Sequence, residues 1–292
     1  MKTALLILLN LLQIPSLAFG FGIGAPLAAA GTATFLGWAF KPVGPDEEAA
    51  ASVSANPPVR VPELNGLLFG DSSVECAPTV AIYCGAKVRP ASYALLARQI
   101  LAEITKRESS KQAGGVLVLQ SPFNIYAFKP ASVEKVLAAY PTIKCIAGHS
   151  IGGIWAMEYC QKLAESSDSS FPNNALSFVY LGVHSSVLSL AQFRDVPFRS
   201  VGYTYATNDV TLRNAATKND ETIERHIARI QTDELPSTAK IYSIDGGNHS
   251  QYGSYGMPSY KQGLAYKDLE ADLPGAEQRE LVAKAIVDTM MQ

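Results

Sequence analysis

The stretch "KCIAGHSIGGIWAMEY", Lys144 to Tyr159, constrains this chain more than any other. Its centre, Gly148-His149-Ser150-Ile151-Gly152, fits the pattern G-x-S-x-G. The residues before it, Ile143 to Ala147, read as a buried strand. Those after it, Ile154, Met157 and Leu163, recur at helical spacing. A serine between glycines, on a tight turn from strand to helix, is a nucleophile elbow. The turn puts the serine under strain at its tip. Bulky side chains two residues to either side would clash, and glycines at those places relieve the clash.

The chain around this motif has 292 residues, of which 48% are hydrophobic and 17% charged, with a formal net charge of −2. That composition suits one ordinary α/β domain. Near-neutral charge without a Lys/Arg cluster argues against a nucleic-acid partner. No repeat of fixed period stands out. The four cysteines form no C-x-x-C pair. Cys145 and Cys160 come level on the elbow strand and helix. A helix and a sheet pack roughly 10 Å apart, beyond the about 7 Å that a disulfide spans, so both read as core residues.

The N-terminal part reads separately. No charged residue lies between Lys2 and Lys41. "ALLILLNLL" (Ala4 to Leu12) has the length of a signal-peptide apolar region, and "SLAFG" (Ser16 to Gly20) offers cleavage sites. A second uncharged run, Phe21 to Phe40, is long enough to span a bilayer. Residues 1–20 are thus expected to be a signal peptide or anchor, with membrane association through residues 4–40 and a secretory, membrane or organellar location. Residues 41–63 hold five prolines and an acidic patch and read as a linker. The folded domain is expected over residues 64–292, with residues 21–63 as apolar segment and linker before it.

Within that domain strands alternate with helices. Strands are expected at 65–71, 79–86, 114–122, 143–147, 175–183, 198–206 and 239–246. Helices are expected at 92–107, 132–140, after Ser150, near 219–230 and at 277–290. This pattern implies a mostly parallel, doubly wound sheet with helices on both faces. Active sites in such sheets gather beyond the carboxyl ends of the strands.

A serine hydroxyl needs a base to become a nucleophile. Of four histidines, His149 lies in the elbow and reads as pointing away from the base position. His184 follows a strand. His226 sits on a polar helix and reads as solvated. His249 follows the last strand in "IDGGNHSQYGSYG", a glycine-rich loop able to bring it back over the sheet, and it completes the chain order Ser, acid, His. The acid must lie between. Asp209, in "YTYATNDV", ends one strand and is favoured; Asp245, just before Gly246-Gly247, is the alternative. Asp168, Asp195, Asp220 and Asp233 lie in polar or connecting stretches. The acid would fix the tautomer of His249.

An oxyanion hole needs two backbone N–H groups. Ile151, just after the nucleophile, would supply one. The loop "YCGAKV" would supply the other, with Gly85 allowing close approach and Ala86 as donor; Lys87 is the runner-up, read otherwise as loop surface. Gln251, Tyr252, Tyr255 and Tyr260, with "FNIYAF" (Phe123 to Phe128), are read as lining for an acyl group or as ordinary loop packing. The stretch between Val183 and Phe198 is short, so the cap should be minimal. No metal cluster or phosphate loop is apparent, so no cofactor is implied.

With "YCGAKVRPASYALLARQI", "SPFNIYAF", "GHSIGG" and "GGNHSQYGSYG" assembled, the chain resembles the α/β-hydrolase superfamily. In particular it resembles a bacterial and algal branch near the dienelactone-hydrolase-like enzymes, with a serine nucleophile. The resemblance spans about Tyr83 to Tyr255. It implies Ser150, Asp209 and His249 as a triad and a hydrolase of esters, thioesters or lactones acting on a small-molecule or lipid-like acyl substrate. Cys84 stands where many relatives have proline or histidine. Dienelactone hydrolases carry a cysteine at the elbow, where this chain has Ser150. A catalytically silent, membrane-tethered binding protein on the same fold and an acyltransferase are the competing expectations.

Overall fold

The fold is given by a computed structural model, which describes residues 42–70, 77–108, 114–122, 129–166, 175–184, 189–256 and 267–292. The hydrophobic N-terminal runs, the "FNIYAF" stretch and Asp168 lie outside the described residues. No helix among the described residues is long and apolar enough to cross a membrane.

Eight strands form one sheet: β1 Val59–Val61, β2 Gly66–Phe69, β3 Pro78–Tyr83, β4 Gly115–Leu119, β5 Cys145–His149, β6 Ser177–Leu181, β7 Ser200–Ala206 and β8 Lys240–Ile244. Their spatial order is β1-β2-β4-β3-β5-β6-β7-β8. β1–β2 and β2–β4 pair antiparallel, and every later pair is parallel. Around the sheet lie α1 Glu47–Ala55, α2 Ala94–Arg107, α3 Val133–Ala139, α4 Ile151–Glu165, α5 Val210–Lys218, α6 Ile223–Arg229 and α7 Gly275–Met290.

The inner parallel strands β3 to β6 are buried almost throughout because both faces are covered, while the edge strand β8 is partly exposed. Alternate residues divide between two cores. Val80, Ile82, Cys145 and Ala147 face Leu96 and Ile100 of α2 and Val282 and Ile286 of α7. Ala81, Tyr83, Ile146 and Phe178 face Val136 of α3 and Ile154 and Met157 of α4. Cys145 and Cys160 fall in opposite cores as buried free thiols.

Residues 42–63 of the supposed linker carry structure instead. Asp46 caps α1 by accepting from Ala49 N–H at 2.9 Å, with Glu47 and Glu48 in the first turn where the helix dipole favours them. Ala49 is fully buried. Arg98 donates to Ser52 Oγ at 2.6 Å, Ser52 O at 3.0 Å and Asn56 O at 2.7 Å. Val43 N–H donates to Lys87 O at 2.8 Å. Small residues and prolines made this segment look like a spacer because its anchoring comes from partners distant in sequence.

The helix expected near 219–230 is α6, and α5 precedes it where no helix was expected. Asp209 caps α5, Asp220 breaks the chain at φ 55°, and Thr222 restarts it by capping α6. His226 is accordingly not solvated. It is 1% exposed, its Nδ1 lies 2.7 Å from Glu221 Oε2, and the Arg229 guanidinium bonds the same carboxylate.

A chain starting at Pro57 loses Ala49 burial, the Arg98 bonds and the Val43 contact, while one starting at Lys41 keeps them. The shorter chain is expected to melt about 5–10 °C lower, as a loss of a few kcal/mol implies for a domain this size. Equal melting temperatures by circular dichroism would show that the segment is a passive tether.

Candidate active site

The elbow sits between β5 and α4. Ser150 has φ 54° and ψ −129°, a sparsely populated region for a residue with a side chain. Its N–H donates to Leu181 O of β6 at 3.0 Å, which pins the turn to the next strand. The steric need for the glycines is direct. A Cβ on Gly148 would lie 2.2 Å from Gly153 Cα, and one on Gly152 would lie 2.3 Å from Cys84 O. Gly153 is a third such position, since its Cβ would meet Val183 Cγ2 at 2.6 Å. Helix α4 therefore starts in backbone contact with the strand ends. Its dipole points its positive end, with the Ile151 N–H, at the space before Ser150.

Asp209 and His249 arrive at the same edge from β7 and β8. The parallel register sets this: His149 pairs with Leu181, Leu181 with Thr204, and Thr204 with Tyr242. His249 Nδ1 lies 2.7 Å from Asp209 Oδ2, and both residues are at most 1% exposed. The other oxygen, Oδ1, accepts from Thr211 N at 2.7 Å, Thr211 Oγ1 at 2.6 Å and Leu212 N at 3.3 Å. Burial alone would raise the Asp209 carboxyl, but His249 and His184 outweigh it and hold it well below the usual carboxylate range. For His249, burial opposes protonation, and Asp209 outweighs it to hold the imidazole above its ordinary value.

Asp245 does not join this pair. It is exposed, in the turn before Gly246, and accepts from Thr207 Oγ1 at 3.2 Å. Asp195, Asp220 and Asp233 are exposed as well. His149 does not point away: its ring centroid lies 4.7 Å from that of His249. Its Nδ1 lies 2.7 Å from the Tyr93 hydroxyl, which accepts from Gly85 N–H at 2.9 Å. Burial pushes His149 well below its ordinary value, so it is neutral.

In the "YCGAKV" loop the Gly85 N–H is therefore taken. Ala86 is half-buried, and its N–H has no acceptor among the described residues. Lys87 is not loop surface: it is 7% exposed, at φ 64°, with its carbonyl on Val43. Tyr252 is packed in the core and not in an open lining. It is fully buried, stacks on His149 and accepts from Thr204 Oγ1 at 3.2 Å. Tyr255 is 4% exposed. Gln251 is half-buried, and Tyr260 lies outside the described residues. No group of three or more His, Cys, Asp or Glu among the described residues could hold a metal ion.

Residues 79–186 match the model of the alpha/beta hydrolase family. The match begins in β3, takes in the "YCGAKV" loop and the elbow, and ends just past β6. The chain has the α/β-hydrolase fold. Solved structures similar to it include an esterase of Pyrobaculum calidifontis, 13% identical, covering 97% of each chain with a TM-score of 0.43. A monoacylglycerol lipase of Paleococcus ferrophilus is 12% identical over 77% of this chain and 98% of its own, with a TM-score of 0.42. The esterase LipW of Mycobacterium marinum is 11% identical over 84% and 86%, with a TM-score of 0.43. No curated protein matches the chain.

Within this hydrolase fold three residues hold the site in ways that motif reading does not reach. Asp268 is 2% exposed; it accepts from Ser250 N–H at 2.7 Å and Val210 N–H at 3.4 Å, and so ties the histidine loop to the acid loop. His184 places Nε2 3.4 Å from Asp209 Oδ2 and Nδ1 2.7 Å from the Tyr203 hydroxyl. That hydroxyl also lies 3.1 Å from Val183 O. Tyr93 links the "YCGAKV" loop to the elbow through His149. None of the three carries a local signal, because each partner is far away in sequence.

The hydrolase elbow makes a packing prediction. Gly152→Ala should lower unfolding free energy in urea by more than about 2 kcal/mol, since backbone carbonyls must move to admit the methyl. Gly44→Ala, where nothing lies within 4 Å of the added Cβ, should change it by less than about 0.5 kcal/mol. Equal effects would show that the elbow tolerates a side chain.

Proposed function

We propose that the protein is a serine hydrolase that cleaves ester, thioester or lactone bonds through an acyl-enzyme on Ser150. The observation that carries this reading is the buried 2.7 Å contact between Asp209 Oδ2 and His249 Nδ1, at the strand edge where Ser150 is held in a strained turn. A scaffold has no use for a buried charged pair beside a half-buried, strained serine, because both cost stability.

In this mechanism Ser150 Oγ attacks the acyl carbon and passes its proton to His249 Nε2. Asp209 keeps the other His249 proton on Nδ1, so that Nε2 is the free base, and it stabilises the imidazolium that forms. The carbonyl oxygen takes the negative charge and is met by the N–H groups of Ile151 and Ala86. The C–O or C–S bond then breaks, and His249 returns its proton to the leaving group. Water then adds to the acyl carbon, with its proton taken by His249; the bond from the acyl carbon to Ser150 Oγ breaks, and His249 returns that proton to Oγ, which releases the acid and restores Ser150. The neutral state of His149 suits this cycle, since a second cation beside His249 would oppose imidazolium formation.

Ser150→Ala should abolish fluorophosphonate labelling and turnover of p-nitrophenyl esters while leaving the melting temperature within a few degrees. Wild-type labelling of that variant would remove Ser150 from the chemistry. Asp209→Asn should cut kcat by roughly 10⁴-fold, whereas Asp245→Asn should change it little. The reverse order would make Asp245 the acid.

The pH dependence follows in sign. His249 must be neutral to accept a proton, so kcat/KM is lost as pH falls through its pKa. Because Asp209 raises that pKa, the acid limb should lie above the free imidazole value of about 6.5. In Asp209→Asn the limb should move to lower pH. A limb that stays in place would mean that another group controls it.

A further inference from the structure

The histidine loop, residues 246–256, has a second side. A cavity of about 250 Å³ lies between this loop, the first turn of α7 and the start of α1. Ser150, Asp209 and His249 do not line it. At roughly 30 Å³ per water molecule it has the space of about eight waters, which suits a small metabolite and not an acyl chain.

Its walls hold polar atoms without partners. The Arg279 side chain is 6% exposed and its Nε has no hydrogen-bond partner; the same is true of the buried Ser254 Oγ and Gln251 Oε1. Ser254 is 2% exposed. A buried guanidinium normally carries a close counter-ion, because leaving it unpaired is costly. Here the nearest carboxylate is Glu48, with Oε2 3.5 Å from Nη2 and a side chain 69% exposed. Glu48 is a loose, displaceable partner. The start of α7 adds to the positive side: Gly275 and Ala276 line the cavity, no side chain caps the helix, and free N–H groups at a helix start attract anions. Gln251 lies against the same first turn, since a Cβ on Gly275 would come within 3.7 Å of its Cδ; its Oε1 can only accept, and Asp46 also lines the cavity as an acceptor.

We propose that this cavity binds a small hydroxycarboxylate, with its carboxylate on Arg279 and the first turn of α7 and its hydroxyl donating to Gln251 Oε1. The bound anion takes the place of Glu48 beside the guanidinium. The site stands on the back of the loop that presents His249, so its occupancy would stiffen residues 250–256.

Isothermal titration calorimetry of the full chain with lactate tests this, with propionate as the same carboxylate lacking the hydroxyl. Lactate should bind and propionate should bind more weakly. Glu48→Gln, on an exposed side chain, should tighten lactate about two- to fivefold by removing the competing charge. Arg279→Gln should weaken it at least about tenfold. Ser150→Ala should bind lactate as wild type does, which separates this site from the ester-cleaving cleft whether or not the hydrolase reading holds. No heat with lactate up to its solubility, unchanged or weaker binding in Glu48→Gln, equal affinity for propionate, or loss of binding in Ser150→Ala would each overturn the proposal. Should Arg279→Gln fail to fold, the Glu48→Gln result decides.

Discussion

The closeness of α4 to the ends of β3 and β5 is the constraint on which the site depends. Gly148, Gly152 and Gly153 leave no room for a methyl group, and that absence lets the helix begin immediately after the strand. Three consequences follow from one steric fact. Ser150 is driven into its unusual dihedral angles, the first N–H groups of α4 are brought level with the sheet edge, and the neighbouring Cys84 carbonyl is fixed against the helix. The strain at Ser150 persists because the flanking strands, packed on both faces, leave the turn no alternative.

The second requirement is electrostatic. Asp209 is fully buried, and a buried carboxylate survives as an anion only when its oxygens are met by donors. One oxygen is satisfied locally by the cap of α5, through Thr211 and Leu212. That leaves the other free for His249. The residue thus ends a strand loop, starts a helix and holds a histidine at once. The local hydrogen bonds fix the carboxylate plane, so the orientation of His249 is tied to how α5 starts.

Ser150, Asp209 and His249 were legible as candidates because each carries a local mark: a glycine-flanked turn, an acid at a strand end, and a histidine in a glycine-rich loop after the last strand. The alternation of strands and helices gave the doubly wound sheet for the same reason, since buried parallel strands are apolar throughout. What was not legible rests on distant partners. Helix α1 looks like a spacer until Arg98, more than forty residues on, is seen to bind its end. Asp268 reaches back to Val210 across fifty-eight residues. His226 looked solvated because its helix is polar, but those polar residues bond each other over it. Tyr252 has the composition of a ligand-facing residue and is in fact core, which its position in a loop concealed.

The cluster of histidines shows why a single carboxylate suffices. His149, His184 and His249 are gathered around Asp209, and two adjacent imidazolium ions would repel by several kcal/mol in a partly desolvated setting. The fold resolves this by unequal access to the carboxylate. His249 approaches Oδ2 to 2.7 Å and gains enough to stay above its ordinary value. His184, at 3.4 Å, does not, and burial carries it below. His149 has no direct carboxylate contact, and burial, together with the neighbouring His249, holds it well below its ordinary value, so it remains neutral. Proton affinity is thereby concentrated on one of three similar buried side chains, and between His249 and His184 the difference in approach to Asp209 is less than one ångström.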